Sequence, residues 1–278
     1  MTAPVRFSRR AAGVGAKRRV RVRAAALIAA SLTFAAPAAR ADFHIVYPNE
    51  IDLGELEIEH NGAYSFGRNP ALAGGQSYTL ELGTGLTPWW HSEIELGFDN
   101  DPENGQPTQL TQLVTENTFQ LTEPGAYFAD FGFYVEYGQS LTRGRFAASN
   151  ELTAGPLIAK DIGRTTTTIN LFLTRLLGPD QDTQGVDFTY AWQTRWNLWA
   201  PLSPAIEFYG DTGVVGAMPS FSKQFLIIGP VGVGSLPLSK LGLGRAGRLK
   251  YEIGYLFGAT SASPTGTLRW RIELEVPF

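Results

Sequence analysis

The feature that most constrains this chain is the two-residue alternation of its last segment. From Leu268 to Phe278, the residues Leu268, Trp270, Ile272, Leu274, Val276 and Phe278 are all apolar. Arg269, Arg271, Glu273, Glu275 and Pro277 fill the positions between them. Successive side chains of a strand point to opposite faces, so one face of this segment is wholly apolar and the other mostly charged. A strand with lipid outside and a polar lumen inside reads this way. An amphipathic strand of a soluble sandwich alternates too, so the argument needs the rest of the chain.

The same rhythm recurs upstream. Tyr127, Ala129, Phe131, Phe133, Val135 and Tyr137 alternate with Asp130, Gly132, Tyr134 and Glu136. Leu249, Tyr251, Ile253, Tyr255 and Phe257 alternate with Lys250, Glu252 and Gly254. Aromatic residues recur near the strand ends, as interfacial girdles require. Runs of about ten residues are separated by Gly, Pro, Asn and Asp, and no long segment has apolar residues at helical spacing. Twelve strands are expected, at roughly 54–65, 76–86, 89–99, 110–121, 126–138, 147–158, 165–176, 187–199, 203–213, 221–232, 248–258 and 266–278. The fold class is therefore all-β, an antiparallel transmembrane β-barrel of about 12 strands (10–14). An even count puts both ends of the barrel on one side. Connections on that side should be short and those opposite longer, at 66–75, 100–109 and 177–186. The 233–247 connection departs from this rule.

Residues 1–41 read differently. They hold nine Lys or Arg and no Asp or Glu, then an uncharged apolar run over 24–36, then Pro37 and Ala39-Arg40-Ala41. A basic stretch, a short apolar core and small residues at the cleavage positions make a secretory signal peptide. The run is too short to span a bilayer, which takes about 20 residues. The division is thus 1–41 signal peptide and 42–278 barrel, with Asp42 as the first mature residue. Ser8-Arg9-Arg10 hints at a twin-arginine signal, but that route carries folded cargo, and a barrel must cross the inner membrane unfolded. Cleavage leaves 14 basic residues against 26 acidic ones. Such a surface excludes nucleic acid as a partner. The absence of Cys excludes disulfides and thiolate metal sites.

Several motifs carry a family resemblance. They are Gly54-Glu55-Leu56-Glu57-Ile58-Glu59-His60-Asn61-Gly62, Thr87-Pro88-Trp89-Trp90, Phe119-Gln120-Leu121-Thr122-Glu123-Pro124-Gly125, Gly155-Pro156-Leu157, Lys160-Asp161-Ile162-Gly163-Arg164 and the terminal strand. Together they resemble a group of proteobacterial outer-membrane proteins similar to the transporters associated with phenol- and aromatic-degradation operons. The resemblance implies an outer-membrane barrel with a transport role and carries over no catalytic residue. It also implies that Phe278 acts as an assembly signal, since such barrels end on an aromatic residue read by the barrel assembly machinery. Outer-membrane lipids and that machinery are the expected partners, together with an unidentified small solute.

Function then rests on what faces the lumen. The strand phases put Glu55, Glu57, Glu59, Glu81, Glu93, Glu95, Asp130, Glu136, Glu207, Asp211, Glu252, Glu273 and Glu275 inward, against Arg195, Lys250, Arg269 and Arg271. An acidic lumen admits cations and neutral solutes ahead of anions. Alternatively, arginine and glutamate pair across strands and plug the barrel. A third reading is a lipid hydrolase, which needs a Ser and a His on one face. His44 falls in an expected disordered tail, His60 has Gly62 two residues on, and His91 has Glu93 there, with Ser92 on the opposite face. No catalytic residue is assigned. Neither Asp99–Asn104 nor Asp180–Asp182 has calcium-loop spacing, and Gly229–Gly234 lacks the Lys-Ser/Thr of a phosphate loop. No metal or cofactor is expected.

Overall fold

The computed structural model describes residues 44–67, 72–143, 147–178, 185–243 and 246–278. The segment expected to be a signal peptide, the expected new N-terminus at Asp42 and the 180–182 cluster lie outside them. No described helix is long and apolar enough to cross a membrane.

Twelve strands form a closed antiparallel barrel in which each pairs with its sequence neighbours and β1 closes on β12. They are β1 (Glu55–Phe66), β2 (Gln76–Thr87), β3 (Trp90–Asp101), β4 (Gln106–Gln120), β5 (Asp130–Ser140), β6 (Asn150–Ile162), β7 (Thr165–Leu177), β8 (Asp187–Trp196), β9 (Ser203–Val214), β10 (Phe225–Pro237), β11 (Arg248–Gly258) and β12 (Gly266–Pro277). Closure leaves the sheet without a free edge, which is what a bilayer interior demands.

Most outward side chains are apolar. Leu80, Leu82, Ile94, Leu173, Ile206, Ile253 and Ile272 stand exposed on the wall. Aromatic groups mark both rims. Trp89, Trp90 and Phe119 stack at the end holding the strand termini, with Trp90 and Phe119 centroids 6.2 Å apart. Tyr64, Phe66, Tyr255 and Phe257 gather toward the far end. This is the layout of a membrane-spanning barrel.

Two proline interruptions shape the wall. Pairing of β6 with β7 skips Gly155 and Pro156, and pairing of β10 with β11 skips Gly229 and Pro230. Proline has no N–H for the ladder, and the preceding glycine lets the neighbouring backbone move in. A Cβ on Gly155 would lie 1.7 Å from the Leu171 carbonyl oxygen.

The structure corrects several boundaries. The expected long loop at 100–109 is a four-residue turn, because β3 reaches Asp101 and β4 starts at Gln106. Asp101 holds that turn by accepting from Asn104 N (3.0 Å), and Asp99 accepts from Thr111 Oγ1 (2.7 Å). β5 begins at Asp130, so Tyr127 and Phe128 belong to an exposed turn. β10 runs on to Pro237, which shortens the anomalous 233–247 connection to 238–247.

Candidate functional site

The largest correction concerns residues 44–53. The sequence reading places His44 in a disordered tail, whereas the chain here runs through the lumen as an extended strap. His44, Ile45, Val46, Tyr47 and Asn49 are all buried. Alternation again explains the arrangement, because successive side chains face opposite walls. Ile45 and Tyr47 pack with Tyr134, Leu157 and Phe172 of β5–β7. Val46 packs with Ala191, Ala205, Tyr209, Ile227, Val231, Val233 and Leu256 of β8–β11. The Tyr47 and Tyr134 rings lie 4.5 Å apart, and the His44 ring meets that of Tyr209 edge-on at 5.5 Å. Asn170 fixes the register from both sides: Tyr47 N donates to its Oδ1 (2.8 Å), and its Nδ2 donates to Tyr47 O (3.0 Å). Gly54, at φ +80, turns the strap into β1.

The remaining lumen is charged. Its centre is Arg269, which is 1% exposed. Arg269 Nε donates to Glu207 Oε2 (2.7 Å) and Nη2 to Glu207 Oε1 (2.6 Å), while Nη2 also meets Glu252. Gln193 Nε2 (2.7 Å) and Tyr209 Oη (2.8 Å) donate to the same Glu207 carboxylate. A bidentate fork with added neutral donors is the arrangement that makes a buried pair tolerable. Arg271 Nη2 binds Glu59 (2.6 Å) and Glu273 (3.2 Å). Lys250 pairs with Glu273 at 3.1 Å and also contacts Glu275. Asn61 Nδ2 donates to Glu59 Oε1 (2.6 Å) and Glu81 Oε1 (2.7 Å).

The sequence-assigned lumen residues fall into groups, with Asp130 accepting from Gly125 N (2.6 Å) and Glu55 lying 3.9 Å from Arg248 at the termini end. Glu207, Glu252 and Arg269 form one group, and Glu59, Glu81, Arg271, Glu273, Lys250 and Glu275 a second. Glu95 is buried, and Glu136 accepts from Tyr134 Oη (3.0 Å). Glu93 faces His91. Arg195 lies at the termini end, where its Nε donates to Asn197 (2.8 Å). Asp211 sits toward the far end and accepts from Gly213 N (2.6 Å). Phe278 is 83% exposed, and its N–H donates to Gly54 O (3.1 Å). His60 faces outward, between Tyr78 and Trp270.

Sequence reasoning missed Arg248, which donates to Glu275 (2.9 Å) and lies 3.7 Å from Asp52 of the strap. It also missed the buried Glu116 and Glu151, the latter accepting from Gln112 Nε2 (2.7 Å). Their strands alternate weakly, so no phase could be set. The strap did leave a signal. Leu157, Phe172, Ile227, Val231 and Leu256 are apolar at inward positions, which a water-filled lumen would not need.

Below the strap, at the termini end, a cavity of about 700 Å³ opens. The strap from Val46 to Glu50 lines it, together with Glu57, His91, Glu93, Arg195, Lys250, Glu252, Arg271 and Glu273.

The sequence matches no family profile and no curated protein. Among solved structures it is similar to a chain from work on the in-meso crystallization of membrane proteins. That match has 13% identity and a TM-score of 0.43, and covers 80% of this chain and 84% of the other. It is also similar to a bacterial polysaccharide outer membrane secretin, with 8% identity, a TM-score of 0.37, and 84% and 100% covered. The architecture itself is established by the strand pairing.

Proposed function

We propose that this protein is a passive transporter of a Gram-negative outer membrane, whose lumen is closed at rest by its own N-terminal strap. The observation that carries this reading is the nature of the obstruction. Eight strands enclose a space that side chains fill, and twelve enclose more. Here the excess holds a separable stretch of about ten residues, reached directly from the open end of the barrel. Displacing it would join the vestibule to the rest of the lumen.

The lining suits a particular solute class. The β12–β3 side presents seven carboxylates, Glu57, Glu59, Glu81, Glu93, Glu95, Glu273 and Glu275, against Arg269 and Arg271, and the β5–β11 side presents the apolar residues that the strap covers. An acidic wall facing an apolar one favours small cationic, neutral or hydrophobic solutes and disfavours anions. The family resemblance points the same way, toward aromatic compounds. Outer-membrane lipid around the girdles and an assembly machinery reading the Phe278 end belong to the same proposal.

Solute flux into liposomes tests it. Protein lacking residues 42–53 should admit small neutral and cationic solutes and largely exclude anions of equal size, while the mature protein should be far slower with all of them. If the truncated barrel folds and passes nothing, the lumen is plugged by its ion pairs and the protein is structural. Preference for anions would refute the lining argument.

A further inference from the structure

One group in the vestibule is used neither by the strap nor by the lysine and arginine pairs. Glu57 on β1, His91 and Glu93 on β3 come together across β2. Pairing sets Glu57 opposite Gly83 and Gly83 opposite Glu93. The glycine between them leaves room that the Glu93 side chain occupies, since a Cβ on Gly83 would lie 2.4 Å from Glu93 Cγ. His91 Nε2 stands 3.3 Å from Glu57 Oε2, and His91 Nδ1 stands 3.9 Å from Glu93 Oε2. One donor atom from each residue can be chosen so that all three lie within 4.8 Å of one another.

Two further observations separate this group from an ordinary acidic patch. His91 is 8% exposed, and its Nε2 is buried without a well-formed hydrogen bond. Its contact with Glu57 Oε2 at 3.3 Å lacks hydrogen-bond geometry, so the nitrogen is only weakly satisfied and an ion between the two groups would meet both. Moreover, the neighbouring acidic groups already hold cations: Lys250 serves Glu273 and Glu275, and Arg248 serves Glu275. Among the described residues, no lysine or arginine lies within ion-pair distance of Glu57 or Glu93.

We propose that Glu57, His91 and Glu93 bind a divalent transition-metal ion, with zinc as the type case. One imidazole and two carboxylates are a zinc-compatible donor set, and three protein ligands leave a fourth position for water or solute. That position faces the cavity, because all three residues line it. The two carboxylates balance the ion's charge with the imidazole neutral. In tetrahedral coordination, ligand atoms about 2.1 Å from one ion stand about 3.4 Å apart. Drawing in a set that lies within 4.8 Å therefore takes at most about 1.4 Å, within the reach of glutamate side-chain torsions. The sequence reading expects no metal here, since Glu57 and His91 are far apart in the chain and only strand pairing unites them.

The test is zinc binding by untagged mature protein refolded in detergent, followed by calorimetry with ZnCl₂ alone. The expected result is one site per barrel. His91→Ala should weaken it at least about ten-fold, the scale of losing even an outer-shell partner. Glu93→Gln should weaken it less, and His60→Ala on the outer wall should leave it unchanged. X-ray absorption of the zinc-loaded wild type gives an answer that needs no variant to fold: one imidazole among oxygen ligands is expected. An imidazole-free shell, equal binding by His91→Ala, or no saturable binding below about 1 mM overturns the proposal.

Discussion

Arg269 is the group whose removal should cost this barrel most. It is buried and donates two bonds to Glu207 and a further contact to Glu252. Arg269→Met keeps the apolar stem of the side chain and removes the guanidinium with its charge, which leaves two inward carboxylates facing each other. Breaking a buried pair by deleting one partner costs about 3–5 kcal/mol, and the upper part of that range applies because two acceptors are stranded. Glu207→Gln is milder. Arg269 keeps Glu252, and the new amide oxygen still accepts from one of the two neutral donors, Gln193 or Tyr209, which reach different oxygens of Glu207, so about 1–3 kcal/mol is expected. Combining the two should cost less than their sum, because each removes the charge that made the other expensive. Urea unfolding in lipid vesicles, followed by the fluorescence of the six tryptophans, reads the midpoints. A loss under about 1 kcal/mol for Arg269→Met, or strict additivity in the double variant, would show that the pair is not the buried fork described above.

Two further substitutions probe the wall and its end. Gly155→Ala places a methyl group 1.7 Å from the Leu171 carbonyl oxygen, so β6 and β7 must separate. We expect a loss of at least about 2 kcal/mol or no heat-modifiable barrel on gels, and wild-type behaviour would rule out the close approach. Deleting Phe278 removes an exposed ring and one backbone bond to Gly54. Yield in the outer membrane should fall while material refolded in detergent keeps its unfolding midpoint, and an unchanged yield would remove the assembly role.

What could be read from the chain follows from how strongly each strand alternates. β12 is apolar at every outward position and charged at four inward ones, so its phase, its end and Arg269, Arg271, Glu273 and Glu275 were all legible. β4 carries Thr111, Gln112, Thr115, Asn117 and Thr118 on both faces. Polar residues on the outer wall erase the two-residue signal, and Glu116 went unassigned with it. Partners are a separate matter. That Glu207 on β9 would meet Arg269 on β12 depends on the curvature of the closed wall, which no local pattern encodes. The strap was hidden for another reason. His44-Ile45-Val46-Tyr47 is too short to stand out as a strand. Its counterpart, the inward apolar residues, is scattered over β6, β7, β10 and β11.

In the proposed function the strap at 44–53 is what closes the lumen. The chain has no cysteine, so a pair introduced at Tyr47 and Tyr134, whose rings lie 4.5 Å apart, can be joined by a short reducible thiol linker. Single-channel conductance in a planar bilayer is then recorded on one preparation before and after reduction. The account predicts no openings while the strap is tethered to β5, and voltage-driven, cation-preferring openings once the linker is cut. Equal conductance in both states, or silence in both, would contradict it.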